Sequence, residues 1–186
     1  MHSTVSHRSN ARDLLFDLAG PGSAGPVGAR MLAVRAPAAG TAPSPNLEHV
    51  EAIAAFLDDA AVRHRESHLN KPRLTWSCTL RTSPGERVLT DSQWVRAAEI
   101  LLHTTRVAEV DDAHAPRWAA IRLSDHRLTV IASLVRDNGE AVEWRGDAYR
   151  SHQACRQIRD ALSLEAAVER AHARARRVRA QYVAVV

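Results

Sequence analysis

In the stretch "RLSDHRLTVIASLVRDNG" (Arg122 to Gly139), Asp125, His126 and Arg127 stand immediately before an apolar, β-branched run that closes at Asn138-Gly139. A carboxylate, an imidazole and a guanidinium at the mouth of a buried strand can supply a general base and an anion clamp. Strand alternation would place Asp125 and Arg127 on one face and His126 on the other, so a structural Asp125–Arg127 ion pair is an equally direct reading. His64 and His68 in "HRESH" sit at i,i+4, the spacing of a zinc pair on a helix. No third ligand is placed by sequence and arginines flank the pair, so an exposed helix end is expected, with no metal and no cofactor. Cys78 and Cys155 match no metal or redox spacing and fall on apolar faces; buried, inert thiols are expected.

The elements that must position these groups follow from periodicity and punctuation. "ARDLLFDLAG" reads as a short helix stopped at Gly20-Pro21. Residues 21–45 are rich in Gly, Pro, Ala and Ser and read as loop, with a short strand at "RMLAVR". "NLEHVEAIAAFLDDAAVRHRE" has helical spacing of Leu47, Val50, Ile53, Ala54 and Leu57. "RLTWSCTLRTSPGE" alternates Leu74, Trp76, Cys78 and Leu80 against Arg73, Thr75, Ser77 and Thr79, the pattern of a half-buried strand. Thr90 and Gln93 form a capping box for "DSQWVRAAEILLHTTR". "PRWAAIRL" and "RLTVIASLVR" are strands, "AVEWR" an edge strand, and "DAYRSHQACRQIRDALSL" a helix with Tyr149, Ala154, Cys155, Ile158 and Leu162 inward. Trp144, on the edge strand, is a candidate stacking platform. The order predicts an α+β domain with helices packed on one face of an antiparallel sheet. It is expected to span 1–164, followed by an Arg- and Ala-rich helix over 165–186.

The chain has 186 residues, 45% hydrophobic and 25% charged, within the range of ordinary globular proteins. No run reaches the length of a membrane span, no signal pattern opens the chain, and a cytoplasmic location without membrane partners is expected. Net charge is +4, and Lys71 is the single lysine among the 25 basic residues. Guanidinium forks suit bidentate phosphate contacts, so this bias fits a nucleic-acid partner; a GC-rich coding bias would give the same composition.

Four sequence words, in order, resemble those of the relaxases, the mobilisation nucleases of plasmid transfer, in the actinobacterial branch of the histidine-hydrophobic-histidine class. The words are "LLFDLAGPG", "LTWSCTLRTSPGERVLTDSQW", "RWAAIRLSDHRLTVIASLVRDNG" and "GDAYRSHQACRQIRDALSL", and the likeness runs over roughly residues 8 to 164. It implies a relaxase-like, ferredoxin-like palm. Such enzymes use an N-terminal tyrosine nucleophile and three histidines around a divalent metal.

Carried over position by position, those groups are replaced. Leu123 stands at the first ligand position, and Arg127, Leu128 and Thr129 stand at the histidine pair. Asp17 and Ala19 occupy the tyrosine positions, and Ser77 replaces a histidine beside the strand cysteine. Tyr149 and Tyr182 lie far along the chain, Tyr149 at an aromatic core position. The resemblance therefore implies a catalytically degenerate member, not an active nuclease. Two uses of the converted site are expected. One is nucleic-acid binding without cleavage, to single-stranded DNA or another phosphate-bearing ligand, through Arg73, Arg81, Arg122, Arg127 and Arg136, extended by Arg174 and Arg177. The other is a re-purposed pocket for a small molecule, enzymatic or not, using Asp17, Ser77, Asp125, His126, Arg127 and Thr129.

Overall fold

The computed structural model describes residues 1–19, 29–35, 50–64, 73–109 and 112–162. Residues 165–186, including Arg174, Arg177 and Tyr182, lie outside these, as does His68. Among the described residues no helix is long and apolar enough to cross a membrane. The elements are β1 (His2–Arg8), α1 (Ala11–Ala19), β2 (Arg30–Arg35), α2 (Val50–Arg63), β3 (Thr75–Arg81), α3 (Asp91–Thr105), β4 (Trp118–Ser124), β5 (Arg127–Ser133) and α4 (Asp147–Ala161). The five strands form one sheet in the order β1-β3-β5-β4-β2, every neighbouring pair antiparallel.

The fold is α+β, as expected, but helices cover both faces of the sheet. Trp76, Cys78 and Leu80 of β3 and Leu128, Val130 and Ala132 of β5 point to one face and pack with Trp94, Ala97 and Leu101 of α3 and Ala154 and Ile158 of α4. Ala119 and Ile121 of β4 and Ile131 of β5 point to the other and pack with Leu14 and Leu15 of α1 and Ile53 and Leu57 of α2. Each central strand is thus apolar toward one helical layer and, over part of its length, toward the second as well. Sequence alternation revealed only the first.

Local signals set several boundaries as read. The Gln93 N–H donates to Thr90 Oγ1 (3.3 Å) and the Thr90 N–H to Gln93 Oε1 (3.1 Å), closing the capping box of α3. At the start of α1, Asn10 Oδ1 accepts from the Asp13 N–H at 2.8 Å, a side-chain cap at the third helical position. The half-buried Asp58 of α2 also accepts from the Ala11 N–H at 2.8 Å and 3.1 Å, a second cap delivered across the layer. Burial raises the Asp58 carboxyl above its ordinary value, and these backbone N–H groups pull it back down.

Three expectations are corrected. β1 is a strand the sequence reading did not contain: it has a single aliphatic residue, Val5, so no hydrophobic period marks it. "AVEWR" forms no strand; only an isolated bridge joins Val135 and Ala141, beyond a turn in which Gly139 takes φ +88°. Tyr149 faces solvent, 66% exposed, while Trp144 is half-buried against the His7 ring with centroids 4.2 Å apart. The His7 ring meets one face of Trp144 at a tilt of 43°.

Candidate anion site at one end of the sheet

Three strands align their polar residues on the α1/α2 face. Register places His2, Arg81 and Arg127 in one row, Thr4, Thr79 and Thr129 in the next, and Ser6, Ser77 and Ile131 in the third. The Thr79 and Thr129 hydroxyls are 2.9 Å apart, and Thr129 and Ser77 are buried. The first row lies at the sheet's end, where β1 and β5 begin and β3 finishes.

Arg81 and Arg127 are directly opposed, a position at which like charges repel. Neither has a hydrogen bond or ion pair among the described residues, and the Nε of Arg127 is enclosed with no acceptor. Burial, and then the Arg81 charge, hold the Arg127 guanidinium below its ordinary value, although it remains a cation at neutral pH.

The hairpin turn explains where the neighbouring groups go. Asp125 and His126 are the two turn residues between β4 and β5, so they do not continue the strand alternation. Asp125 does not pair with Arg127; it accepts from Arg122 at 2.6 Å. The Arg122–Leu128 register puts Arg122 on the α3/α4 face, opposite Arg127. There Arg122 also pairs with Asp91 and donates to the Ser124 carbonyl at 3.2 Å, while Arg30 donates to the same Asp91 at 2.7 Å. Hydrogen bonds first from Arg30 and then from Arg122 lower the Asp91 carboxyl below its ordinary range. His126 places Nδ1 2.7 Å from Thr82 Oγ1, and its carbonyl accepts from the Thr82 N–H at 3.1 Å. That bond adds a rung beyond the Arg81–Arg127 pair and fixes their spacing.

The expected seven-arginine groove is not one surface. Arg73 precedes β3 at the opposite end from Arg81, and Arg136 lies beyond the far end of β5, paired to Asp112. Asp17 is exposed and sits 3.6 Å from Arg8, at the far end of β1 from His2; six residues of strand put that roughly 20 Å away. Of the predicted groups, the structure brings together Arg81, Arg127, Thr129 and, one row further, Ser77. Thr79 completes the cluster; His2 shares the first row but places Nε2 3.2 Å from Ser83 Oγ. Sequence reading missed His2 because β1 itself was unmarked.

Leu123, Arg127 and Thr129, which the resemblance would set at ligand positions, lie on one face, with Leu123 buried in the α1/α2 core. They offer an alkyl group, a cation and a hydroxyl. Among the described residues no three His, Cys, Asp or Glu side chains are grouped as metal ligands.

Two other polar features lie elsewhere in the fold. Behind β1, the buried Asp147 at the start of α4 accepts from Trp76 Nε1 at 2.8 Å and lies 2.9 Å from His7 Nε2. This cluster was not read from sequence because its members are 140 residues apart in chain position, His7 against Asp147. It ties β1, β3 and α4 together. His64, half-buried, places Nε2 3.3 Å from the Asp137 carbonyl, a contact between α2 and the turn after β5. Cys78 and Cys155 are buried, and burial raises both thiols above their ordinary value, which leaves them unreactive. A cavity of about 330 Å³ lies on the far side of the molecule, lined by Val34, Arg35, Glu99, Leu102, Ala108, Glu109 and Trp118.

The site defines an α+β protein with two directly opposed arginines beside a hydroxyl-lined row of the sheet. Comparison with family profiles, curated proteins and solved structures finds no match for this chain.

Proposed function

We propose that the chain is a relaxase-like protein that binds single-stranded nucleic acid through its phosphates and does not cleave it. The observation that carries this reading is the opposed pair Arg81–Arg127, which has no acidic partner and encloses one donor with no acceptor. An unpaired buried guanidinium donor is costly in the free protein, and a phosphate oxygen would satisfy it. The excess of arginine, the hydroxyls of Thr79 and Thr129 and the resemblance to nucleases of DNA transfer point the same way. Replacement of the expected ligands by Leu123, Arg127 and Thr129 supports binding over cleavage, because a guanidinium repels a cation where one would have to sit.

A second reading, a small-molecule enzyme or binding protein, is favoured by the cavity at Trp118. None of Asp17, Ser77, Asp125, His126, Arg127 and Thr129 lines it. Its charged walls already have partners: Glu99 with Arg96 at 3.3 Å, Glu109 with His103 at 2.7 Å, and Arg35 with the Asp112 carbonyl. The unsatisfied charge lies at the arginine pair, so the first reading is preferred.

The test is fluorescence anisotropy of a labelled oligothymidylate over a range of salt concentrations. Binding should weaken as salt rises, and Arg81→Gln and Arg127→Gln should each lower the slope of log affinity against log salt by about 1. Absence of binding at low salt, or an unchanged slope in the double variant, would refute the reading and promote the cavity.

A further inference from the structure

We infer that the Arg81–Arg127 pair takes the doubly charged terminal phosphate of a strand, a phosphate monoester, in preference to the singly charged diesters within it. This deepens the nucleic-acid reading and rests on it.

Three observations carry the inference. First, the guanidiniums spring from directly opposed residues, whose Cβ atoms lie about 5 Å apart in an antiparallel pair. At that spacing both forks address one phosphoryl group rather than successive phosphates along a strand. Two unneutralised cations then face one ligand group. A diester supplies a single negative charge and leaves the half-buried Arg127 partly uncompensated. A monoester supplies about −1.5 to −2 and three terminal oxygens for the two forks.

Second, the carboxylates at this end of the sheet are turned away. Asp91 and Asp125 are held by Arg122, and Glu86 accepts from the Met1 ammonium and the Ser83 N–H, both on the other side. Nothing acidic among the described residues competes for the pair or screens it. The Thr82–His126 backbone bond fixes the main-chain spacing of the two arginines before a ligand arrives.

Third, the row is terminal. Beyond Arg81 and Arg127 the strands give way to the Asp125–His126 turn and the loop at Thr82, and on the inner side the Thr79–Thr129 row is closed over by core. A row at the limit of the sheet suits the end of a chain, which must be met from one side only.

The experiment compares short oligothymidylates labelled at the 3′ end, with either a 5′-phosphate or a 5′-hydroxyl, using the full chain. The 5′-phosphorylated strand should bind about tenfold tighter. Arg81→Gln should erase that difference while leaving the thermal melt unchanged, because Arg81 is exposed and makes no contact that folding depends on; Arg127→Gln should erase it too, without lowering the melt. Thymidine monophosphate and inorganic phosphate, used as competitors, should bind more weakly than the phosphorylated strand. Equal affinity for the two strands would overturn the terminal-phosphate inference and leave backbone binding intact. A mononucleotide that binds as tightly as the phosphorylated strand would overturn it too, by making the ligand a free phosphate ester. If neither strand binds at low salt, the nucleic-acid reading fails with it.

Discussion

Arg122 and Arg127 flank the same two-residue turn, yet their surroundings are opposite. On the α3/α4 face Arg122 is buried and fully engaged, with Asp91, Asp125 and the Ser124 carbonyl as acceptors. On the α1/α2 face Arg127 is half-buried with an enclosed Nε that meets no acceptor, opposed by a second arginine. A protein stabilises itself by satisfying buried charge, as it does at Arg122. Leaving the equivalent group unsatisfied a few residues away costs stability and is retained where a ligand completes it. The difference separates an arginine that holds the fold from one that the proposed reading assigns to a partner.

The comparison can be broken most directly at Arg122. Arg122→Met should destabilise the protein by about 2 kcal/mol in urea denaturation, since it removes the partner of Asp125 and of the Ser124 carbonyl and leaves Asp91 with Arg30 alone; the partial exposure of Asp91 and Asp125 keeps the loss below that of a fully buried pair. No change in midpoint would mean that the network is ornamental. Arg127→Met should move stability the other way, by up to about 1 kcal/mol, because the stem still packs and an unpaired cation is removed. A loss as large as that of Arg122→Met would show that Arg127 has a structural partner.

The smallest effect is on acidification, which turns the satisfied face into an unsatisfied one. The folded-state value of Asp91 is depressed below 3.8, so its contribution is present above the ordinary carboxylate value and is lost as pH falls through the lowered one. The stability gap between the wild type and Asp91→Asn should therefore be constant near neutrality and close only in strong acid. A gap that persists there would assign the effect of the substitution to something other than charge.

Several parts of this molecule were legible from particular residues. Trp76, Cys78 and Leu80 alternate, and β3 is there; Thr90 and Gln93 box the start of α3; the β4–β5 hairpin follows from its two apolar runs. β1 was not legible, because "HSTVSHR" has polar residues on both faces and is held by pairing and by the Trp76–Asp147–His7 cluster rather than by an aliphatic stripe. The candidate site was half legible. Arg81, Arg127 and Thr129 belong to the expected site, whereas the direct opposition of Arg81 and Arg127 and the exclusion of Arg73, Arg122 and Arg136 were not legible.

By itself the sequence determined residue types and local periods: which strands have an apolar face, where a helix is capped, and that a cation and a hydroxyl stand where the resemblance would place imidazoles. Tertiary structure decided which charges meet. A two-residue turn sends Asp125 to Arg122, and strand order brings Arg81 beside Arg127 although 45 positions separate them. Electrostatic partnership depends on distance in space, which chain position does not encode until the register of the sheet is fixed.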